Sequence, residues 1–403
     1  MLTYEQARKI VVENLSHPAK ARSGVLLKLE SALGSVLAED VIADRDYPPF
    51  HRSTRDGYAV RASDAIVNSK LRCAGELKAG DASAEPLLPG TCVQIMTGAS
   101  VPAGADAVVM IEHTNHEGDE ILIERAAKAG QNIVPRGSEA VALQTVLPQG
   151  TRLGYAELAL AAQVGAVQLH CAKKSRVAIL STGDEVIAID QTPSAGQIRN
   201  ANSVSLAAQV RIAGGEPVNL GHAADDPEEL RAAITRGLRD DILLISGGVS
   251  MGKYDLVESV LKSLGAQFYF DAVAIRPGKP TVFGTCQGKP IFGLPGNPVS
   301  TMVTFELFVI PAIDILSGSA ARPVPLVEAK LGKSLTSKPG LTHFLPAKIT
   351  WQRGAAEVNS IAWQGSGDIV AMVTANCFLV VGDDTDRMEA GTNVRVLLRK
   401  DVL

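Results

Sequence analysis

Residues 243–257 have the sequence LLISGGVSMGKYDLV, which joins a strand pattern to a helix pattern through a glycine turn. Its apolar start is typical of a buried strand, Gly247 and Gly248 break the strand, and a helical pattern follows from Tyr254. A glycine turn lets backbone N–H groups approach an anion, and the start of a helix adds roughly half a positive charge there. We therefore predict a phosphate-binding turn with Ser250 and Asp255 beside it.

Strand and helix patterns alternate around this turn, from residue 175 to about 317. The predicted strands span residues 176–183, 216–223, 241–246, 266–275 and 289–294. Helical patterns lie between them, Gly214 and Gly215 can cap the first helix, and a long helix starts at Pro298. This alternation predicts a doubly wound, mostly parallel sheet with helices on both faces. In such sheets ligands bind at the carboxyl ends of the strands.

The whole chain has 403 residues, which suggests two to four domains. Outside the α/β region the sequence pattern is different. Short strands separated by Pro and Gly predict β-rich domains at residues 46–136 and 321–403. Residues 1–45 and 137–174 mix helical and extended patterns. With the α/β domain at 175–320, the predicted fold class is multidomain α/β plus β.

Composition excludes several classes of function. A net charge of −4 and an aromatic content of 4% make nucleic acid a poor candidate partner. The five cysteines are odd in number and lack a C-x-x-C pair, which suits a reducing cytosol. The first 15 residues form a charged amphipathic pattern instead of a signal peptide. The late apolar stretch 303–316 contains Glu306 and Asp314 and is expected to be too short to span a membrane. We expect a cytoplasmic protein without a membrane partner.

Polar groups and glycines follow four of the predicted strands. They are Thr182, Gly183, Asp184, Glu185, Asp225, Asp226, Ser246, Gly247, Gly248, Ser250, Asp255, Pro295, Gly296, Asn297 and Ser300. If the sheet is parallel, these loops gather at one edge. Asn297 is the expected N-cap of the long helix, Pro298 its first residue, and Ser300 is expected in the first turn, pointing the same way as the free N–H groups of the helix end. The RPGKP turn adds Arg276 and Lys279, which are the charges expected against a phosphate or another oxyanion.

Carboxylates beside a phosphate would repel it unless a cation lies between them. Glu185, Asp225 and Asp255 therefore imply Mg²⁺, which prefers a few carboxylates together with phosphate oxygens and water. Phosphoryl or nucleotidyl chemistry follows from this set. Neither G-x-x-x-x-G-K-[ST] nor G-x-G-x-x-G stands at a strand end, which disfavours an ordinary kinase or dehydrogenase.

Each of these motifs alone also fits an ordinary structural role. A Gly-Gly pair is often only a turn, DDPEE is a common helix start, and RPGKP and PGNP are common in surface turns. Asp56 and Thr97, each before a glycine in the β-rich part, are likewise typical turn residues. Only the occurrence of four such motifs on successive strand ends favours a ligand site.

Six motifs occur in order along the chain: STRDGYAV, IMTGASVPAGADAVVMIE, STGDEV, SGGVSMGKYD, RPGKPTVFG and LPGNPVS. Together they closely resemble the molybdopterin molybdenumtransferase family (MoeA, and the C-terminal domain of gephyrin). The resemblance covers nearly the whole chain and is weaker after residue 317. It implies an α/β domain of the molybdopterin-binding type, an elongated linking domain made of residues 1–45 and 137–174, and a small barrel-like C-terminal domain.

The resemblance implies an enzyme that takes adenylylated molybdopterin and molybdate, cleaves the adenylyl phosphate with a divalent metal, and releases AMP and molybdenum cofactor. It implies a homodimer whose cleft is shared between the α/β domain of one subunit and the β-rich domain of the other. The adenylylating enzyme and molybdoenzyme maturation proteins are further implied partners.

The same resemblance assigns roles to individual residues. Catalytic roles fall on Asp56, Glu185, Asp225 and Asp255, of which Glu185, Asp225 and Asp255 match the metal-linked acids. Substrate-binding roles fall on Thr97, Thr182, Gly183, Gly247, Gly248, Ser250, Arg276, Lys279, Pro295, Gly296, Asn297, Pro298 and Ser300. Asp56 and Thr97 are expected to face the α/β site across the dimer interface.

The chain departs from the family pattern at basic positions. Val134, Ala272, Leu341 and Pro346 stand where many members carry Arg or Lys. These losses leave two other functions open. One is adenylylation of molybdopterin, which the additional β-rich parts disfavour. The other is a non-catalytic pterin-binding or scaffold protein, which the retained acids disfavour.

Overall fold

The computed structural model describes residues 1–16, 24–81, 85–248, 256–352, 354–399 and 401–402. The N-terminal part contains α1 (Tyr4–Leu15), β1 (Gly24–Lys28), a 3₁₀ turn (Leu29–Ser31) and β2 (Val41–Ile42). Helix α1 starts with a capping box, because the Thr3 hydroxyl accepts from the Gln6 N–H while the Gln6 side chain accepts from the Thr3 N–H. The amphipathic helix expected there is present.

The β-rich part follows. Its elements are β3 (Arg52–Ser53), β4 (Gly57–Val60), β5 (Lys70–Leu77), β6 (Thr91–Ile95), β7 (Ala107–Met110), a 3₁₀ turn (Ile111–His113), β8 (Thr114–Glu117), β9 (Glu120–Ile123) and β10 (Ile133–Val134). Six strands form one sheet in the order β7-β4-β6-β5-β9-β8. A Cβ at Gly57 would lie 1.9 Å from the Val109 carbonyl oxygen, so only glycine fits at the start of β4.

The chain then returns to its N-terminal part through β11 (Thr145–Leu147), α2 (Tyr155–Gln163) and β12 (Gln168–Ala172). Strand β12 pairs antiparallel with β1, and β11 pairs with β2. Buried side chains from both segments share one core that includes Leu37, Leu153 and Leu169. The two segments assigned to the linking domain, residues 1–45 and 137–174, therefore pack together.

The α/β part carries the central sheet. Its elements are β13 (Arg176–Thr182), β14 (Val186–Ile187), β15 (Ile198–Arg199), α3 (Ala201–Ala213), β16 (Glu216–Ala223), α4 (Pro227–Gly237), β17 (Ile242–Ser246), α5 (Leu256–Ser263), β18 (Gln267–Phe270), β19 (Ile275–Arg276), β20 (Val282–Cys286) and β21 (Lys289–Leu294). The strand order is β16-β13-β17-β21-β20-β18. The first four strands are parallel, and β20 and β18 run antiparallel to their neighbours. Gly214 caps α3 with φ +95°, as expected.

A single strand was predicted at residues 266–275, and that prediction is wrong. The chain leaves the central sheet after Phe270, and β19 joins another sheet instead. Strand β19 pairs parallel with residues Thr342 and His343 of the C-terminal part.

The late apolar helix runs through α6 (Pro298–Thr304), a π-helical turn (Phe305–Val309) and α7 (Ile310–Leu316). The stretch 303–316 is part of a longer helix of 19 residues, from Pro298 to Leu316, whose mean hydropathy of 1.8 would allow it to cross a membrane by length and composition alone. Buried positions make up 78% of this stretch, which is the pattern of a core helix.

The C-terminal part closes into a small barrel. It contains β22 (Leu326–Leu331), β23 (Leu335–Thr336), β24 (Thr342–Gln352), β25 (Ala355–Ser360), α8 (Ile369–Thr374), β26 (Cys377–Val381), β27 (Arg387–Met388) and β28 (Asn393–Leu398). Strands β24, β25, β22, β28 and β26 pair in that order, and β26 pairs again with β24 to close the ring. The predicted multidomain fold class is confirmed, whereas the domain boundaries stay predictions.

A buried ionic cluster joins three of these parts. Asp314, on α7, is fully buried, and its Oδ1 accepts from Arg152 Nη2 of the linking part at 2.9 Å. Arg322 precedes the C-terminal barrel, and its guanidinium donates to both Asp314 carboxylate oxygens. The Arg322 backbone N–H also donates to Asp314 Oδ2. Arg8 of α1 donates to the Arg322 carbonyl oxygen. Asp314 thus ties the linking part and the barrel to the core helix.

Candidate functional site

Four loops meet at the carboxyl edge of the central sheet. The parallel strands β16, β13, β17 and β21 are neighbours, and they end at Ala223, Thr182, Ser246 and Leu294. The Gly247 N–H donates to the Leu294 carbonyl at 3.1 Å. This hydrogen bond joins the glycine turn after β17 to the end of β21. The predicted convergence of these loops at one edge is therefore present.

The glycine turn after β17 lies directly against Thr182. A Cβ at Gly247 would lie 2.6 Å from the Thr182 carbonyl oxygen, and one at Gly248 would lie 2.7 Å from Thr182 Oγ1. Both glycines have positive φ, +93° and +61°, a conformation that disfavours other residues. Thr182 Oγ1 is buried and finds no hydrogen-bond partner within the described residues. A buried hydroxyl without a partner costs free energy, so its presence here points to a ligand.

Asn202 was missed by the sequence analysis. It lies in the first turn of α3, and its Nδ2 donates to Ser246 Oγ at 2.8 Å and to the Gly296 carbonyl at 2.7 Å. Its Oδ1 is buried and has no partner in the described part of the chain. Asn202 therefore joins two of the four loops. The only sequence signal was its position two residues after the helix N-cap Asn200.

Three carboxylates surround the loop after β13. The Asp225 N–H donates to Asp184 Oδ1 at 3.0 Å, and Glu185 folds back over Gly183. Burial, together with the negative charges of Asp184 and Glu185, raises the pKa of Asp225, while His222 opposes that shift. The predicted acids Glu185 and Asp225 are thus brought together.

Two predicted site residues, Ser250 and Asp255, lie outside the described residues. Within residues 1–16, 24–81, 85–248, 256–352, 354–399 and 401–402, no group of three or more His, Cys, Asp or Glu side chains is arranged to hold a metal ion. Glu185 and Asp225 provide carboxylate oxygens, and this donor type fits Mg²⁺, which commonly uses one or two protein carboxylates plus substrate phosphates and water.

The N-terminus of α6 differs in detail from the expectation. Asn297 occupies the N-cap position, but its side chain makes no capping bond and donates instead to Ser366 Oγ at 2.9 Å. The Val299 N–H, expected to be free for an anion, donates to the Ser366 carbonyl. Pro298 is the first helical residue as predicted, and Ser300 is buried. A loop of the C-terminal part thus covers one side of this helix end.

The RPGKP turn packs against the α6 helix at Thr304, four residues after Ser300. A Cβ at Gly278 would lie 2.6 Å from Thr304 Cγ2, and Thr304 Oγ1 donates to the Ser300 carbonyl at 2.9 Å. Arg276 and Lys279 are exposed. Burial lowers the pKa of His343 on β24, and the positive charge of Arg276 lowers it further. The turn therefore stands where the α/β part meets the barrel.

Asp56 and Thr97 form a local pair in the β-rich part. Asp56 Oδ1 accepts from the Thr97 N–H at 2.7 Å and from Thr97 Oγ1 at 2.8 Å. These two hydrogen bonds lower the pKa of Asp56. Within the described residues, neither side chain hydrogen-bonds to the α/β part.

One basic side chain lies across from a position that lacks one. Val134 on β10 pairs with Arg52 on β3, and Arg52 Nη2 lies 3.2 Å from Glu139 Oε1. Among the other departures, Pro346 lies within β24 opposite Phe378, and Leu341 directly precedes that strand.

These features define a class. Glycine turns, a buried unpartnered hydroxyl and paired acids at the carboxyl edge of an open α/β sheet are characteristic of proteins that bind phosphate-bearing ligands.

Comparison with known proteins narrows that class. Residues 2–165 match the MoeA N-terminal region (domain I and II), residues 178–314 a probable molybdopterin binding domain, and residues 328–398 the MoeA C-terminal region (domain IV). The chain is 35% identical to the molybdopterin molybdenumtransferase of Haemophilus influenzae, over 98% of each chain. It is 34% identical to that of Bacillus subtilis, over 97% of this chain and 93% of the relative.

A solved structure agrees over the full length. The molybdopterin biosynthesis MoeA protein from Pyrococcus horikoshii superposes with a TM-score of 0.81 at 28% identity, covering 99% of this chain and 100% of that one. The chain belongs to the molybdopterin molybdenumtransferase (MoeA) family.

Proposed function

We propose that this chain takes adenylylated molybdopterin and molybdate, cleaves the adenylyl phosphate, and releases AMP and molybdenum cofactor. Its family membership makes it a transferase of molybdenum cofactor biosynthesis. The observation that carries the proposal is the buried Thr182 hydroxyl beneath the Gly247–Gly248 turn, which has no hydrogen-bond partner among the described residues and lies at the edge where four loops converge.

The phosphate-binding roles follow from this geometry. Gly247 and Gly248 have no Cβ atoms, which would lie 2.6–2.7 Å from Thr182 oxygens, so no side chain of this turn blocks a phosphate oxygen that accepts from the Thr182 hydroxyl. Asn202 holds the turn against Gly296. Exchange of an adenylyl group for molybdate needs a held phosphate and a pocket for a tetrahedral dianion. Positioning and electrostatics supply most of the required catalysis.

Glu185 and Asp225, with Asp255 assigned from sequence, would hold Mg²⁺. Burial is the main cause of the raised pKa of Asp225, and the negative charges of Asp184 and Glu185 raise it further; a cation between these acids would relieve that repulsion. Bound Mg²⁺ would offset negative charge at phosphorus. The residues themselves orient the phosphate side of the substrate toward the glycine turn.

We also propose a homodimer in which Asp56 and Thr97 of one subunit face the strand-end site of the other. Large apolar side chains are exposed on the linking part, and buried contact with a second subunit would remove them from water. They are Leu26, Leu33, Ile42, Val141, Leu143, Tyr155 and Val167. The Asp56–Thr97 pair, which hydrogen-bonds to no residue of its own α/β part within the described residues, is consistent with a partner site.

Cytoplasmic location and further partners belong to the same proposal. All five cysteines are free thiols, which suits a reducing compartment. The adenylylating enzyme would supply the substrate, and molybdoenzyme maturation proteins would receive the product.

The test measures AMP released from adenylylated molybdopterin in the presence of molybdate and Mg²⁺. Thr182→Val removes the hydroxyl but keeps the shape, and because that hydroxyl has no partner in the described structure, stability should be unchanged. We expect AMP release to fall at least about tenfold, the effect of losing about 1.4 kcal/mol of interaction with the phosphate.

Thr91→Val is the matched control. Thr91 is also buried, but its hydroxyl donates to the Leu88 carbonyl in the β-rich part, so this variant should lose stability and keep its AMP release. Unchanged turnover in Thr182→Val would contradict the phosphate-binding role of the Thr182 hydroxyl. Incubation with ATP and molybdopterin separates the alternatives, because only an adenylyltransferase makes adenylylated pterin, and a scaffold protein gives neither product.

A further inference from the structure

Two cysteines lie side by side in the β-rich sheet. Cys73 on β5 and Cys92 on β6 are register partners in a parallel strand pair, so their side chains leave the sheet on the same face. Both pack into one apolar cluster with Tyr58, whose strand partner on β6 is Gln94. The remaining cysteines lie elsewhere, Cys171 on β12, Cys286 on β20 and Cys377 on β26.

The two thiols differ in exposure. Cys92 is fully buried, and burial, with smaller contributions from the charge and hydrogen bond of Cys73, raises its pKa to about 12. Cys73 is only half-buried, and its Sγ donates to the Gly75 carbonyl at 3.4 Å. One thiol of the pair is therefore accessible to a solute, and the other is protected beneath it.

Strand geometry permits a bond between them. Neighbouring strands are about 4.8 Å apart, within the Cα separation of roughly 4.4–6.8 Å that disulfides span. The register shifts directly after Cys73, and Gly75 has φ +152°. A bulge next to the pair gives β5 the freedom to move the small distance that sulfur–sulfur bonding needs.

We propose that Cys73 and Cys92 are a reversible thiol–disulfide pair that oxidises on contact with hydrogen peroxide. The Cys73 sulfur attacks one peroxide oxygen, which gives a sulfenic acid at Cys73 and one water. The Cys92 sulfur then attacks the Cys73 sulfur, and the hydroxyl leaves with the Cys92 proton as a second water. The two thiols lose two electrons and two protons, and the peroxide is reduced to water.

A disulfide at this place would tie β5 to the strand that carries a proposed site residue. Strand β6 ends at Ile95 and is followed closely by Thr97, which holds Asp56. Asp56 in turn immediately precedes β4, whose Gly57 pairs with Ile95. Oxidation would therefore restrict the sheet from which the Asp56–Thr97 pair projects.

The experiment treats the full-length protein briefly with hydrogen peroxide and counts free thiols after denaturation with a polymer-linked maleimide. Five thiols should be labelled before oxidation and three afterwards, and a dithiol reductant should restore all five. Trypsin cleaves after Arg72, Lys78 and Arg125, so mass spectrometry should find peptide 73–78 linked to peptide 79–125.

Two variants keep the test sharp. Cys73→Ser replaces the half-buried thiol and should keep all four of its thiols through a mild peroxide treatment. Cys171→Ser, the matched control on another strand, should still lose two. If Cys73 proceeds to sulfinic acid while Cys92 stays labelled, or if the linked peptides contain other cysteines, the proposed pair is wrong.

Discussion

Replacing Asp314 with asparagine should destabilise the protein more than any exposed charge change. Asp314 is fully buried and is the carboxylate to which both Arg152 and Arg322 donate. In Asp314→Asn these guanidinium groups keep bonds to the Gly34 and Ala213 carbonyls but lose their counter-charge. The cost comes from leaving two cations in a partly desolvated site.

The magnitude follows from burial. Removal of one member of a fully buried ion pair costs about 3–5 kcal/mol. The side chains of Arg152 and Arg322 are 28% and 22% exposed, so water offsets part of that cost and the lower end applies. At about 2–4 °C per kcal/mol for a unit of 150–250 residues, a loss of about 3 kcal/mol lowers the melting midpoint by roughly 6–12 °C.

The assay is thermal unfolding by circular dichroism at neutral pH, in low salt and in 1 M NaCl. Glu216→Gln is the matched control, because Glu216 and Arg176 form a 2.9 Å pair whose side chains are about half exposed. That variant should shift the midpoint little, and salt should remove the difference. Adding Arg152→Gln to Asp314→Asn should recover part of the lost stability, since one orphan charge disappears. A shift in Asp314→Asn no larger than that of the control would refute this account.

The remaining predictions concern the assembly and the acids. The protein should sediment at twice its chain mass of 42.3 kDa, and replacing the exposed Leu143 and Tyr155 with aspartate should give monomers, because charge is costly in an apolar interface. Asp225→Asn should be more stable than the parent at pH 7 and equal to it below pH 3.8. The pKa of Asp225 is raised in the folded protein, so ionisation of Asp225 destabilises the folded state as the pH rises through that raised pKa. Millimolar Mg²⁺ should raise the parent's midpoint, and Asp225→Asn should reduce that gain.

Each of these outcomes can fail in a definite way. Sedimentation of the parent at a single chain mass would contradict the shared cleft. If Asp225→Asn matches the parent at pH 7 as well, burial and the neighbouring acids together do not destabilise the ionised form of Asp225. If Mg²⁺ raises both midpoints equally, the ion binds somewhere other than at Asp225.

The local pattern of the sequence was sufficient for much of the site. The apolar runs ending at Thr182 and Ser246 predicted adjacent strand ends, since a parallel sheet necessarily aligns its carboxyl ends. Gly247 and Gly248 carried the turn, because their positive φ values are accessible to glycine without strain. The family motifs then identified the chemistry.

Contacts between distant segments could not be predicted in this way. Ser366 takes the helix-end donor that was expected to be free, and it stands 69 residues after Asn297. Ile275 leaves the central sheet because Thr342 offers it a strand partner in the barrel. Asn202 gives no signal beyond its helix position. In each case the partner is chosen by packing, which short-range periodicity does not encode.

Side-chain period and backbone freedom in the sequence were enough to predict the four parallel strands, the helices between them and the loops that carry glycine and carboxylate groups. Tertiary structure alone decided which polar groups are left without partners, which helix ends are covered, and which thiols become neighbours. Those properties depend on burial and on distances between segments far apart in the chain, and only the folded packing sets both.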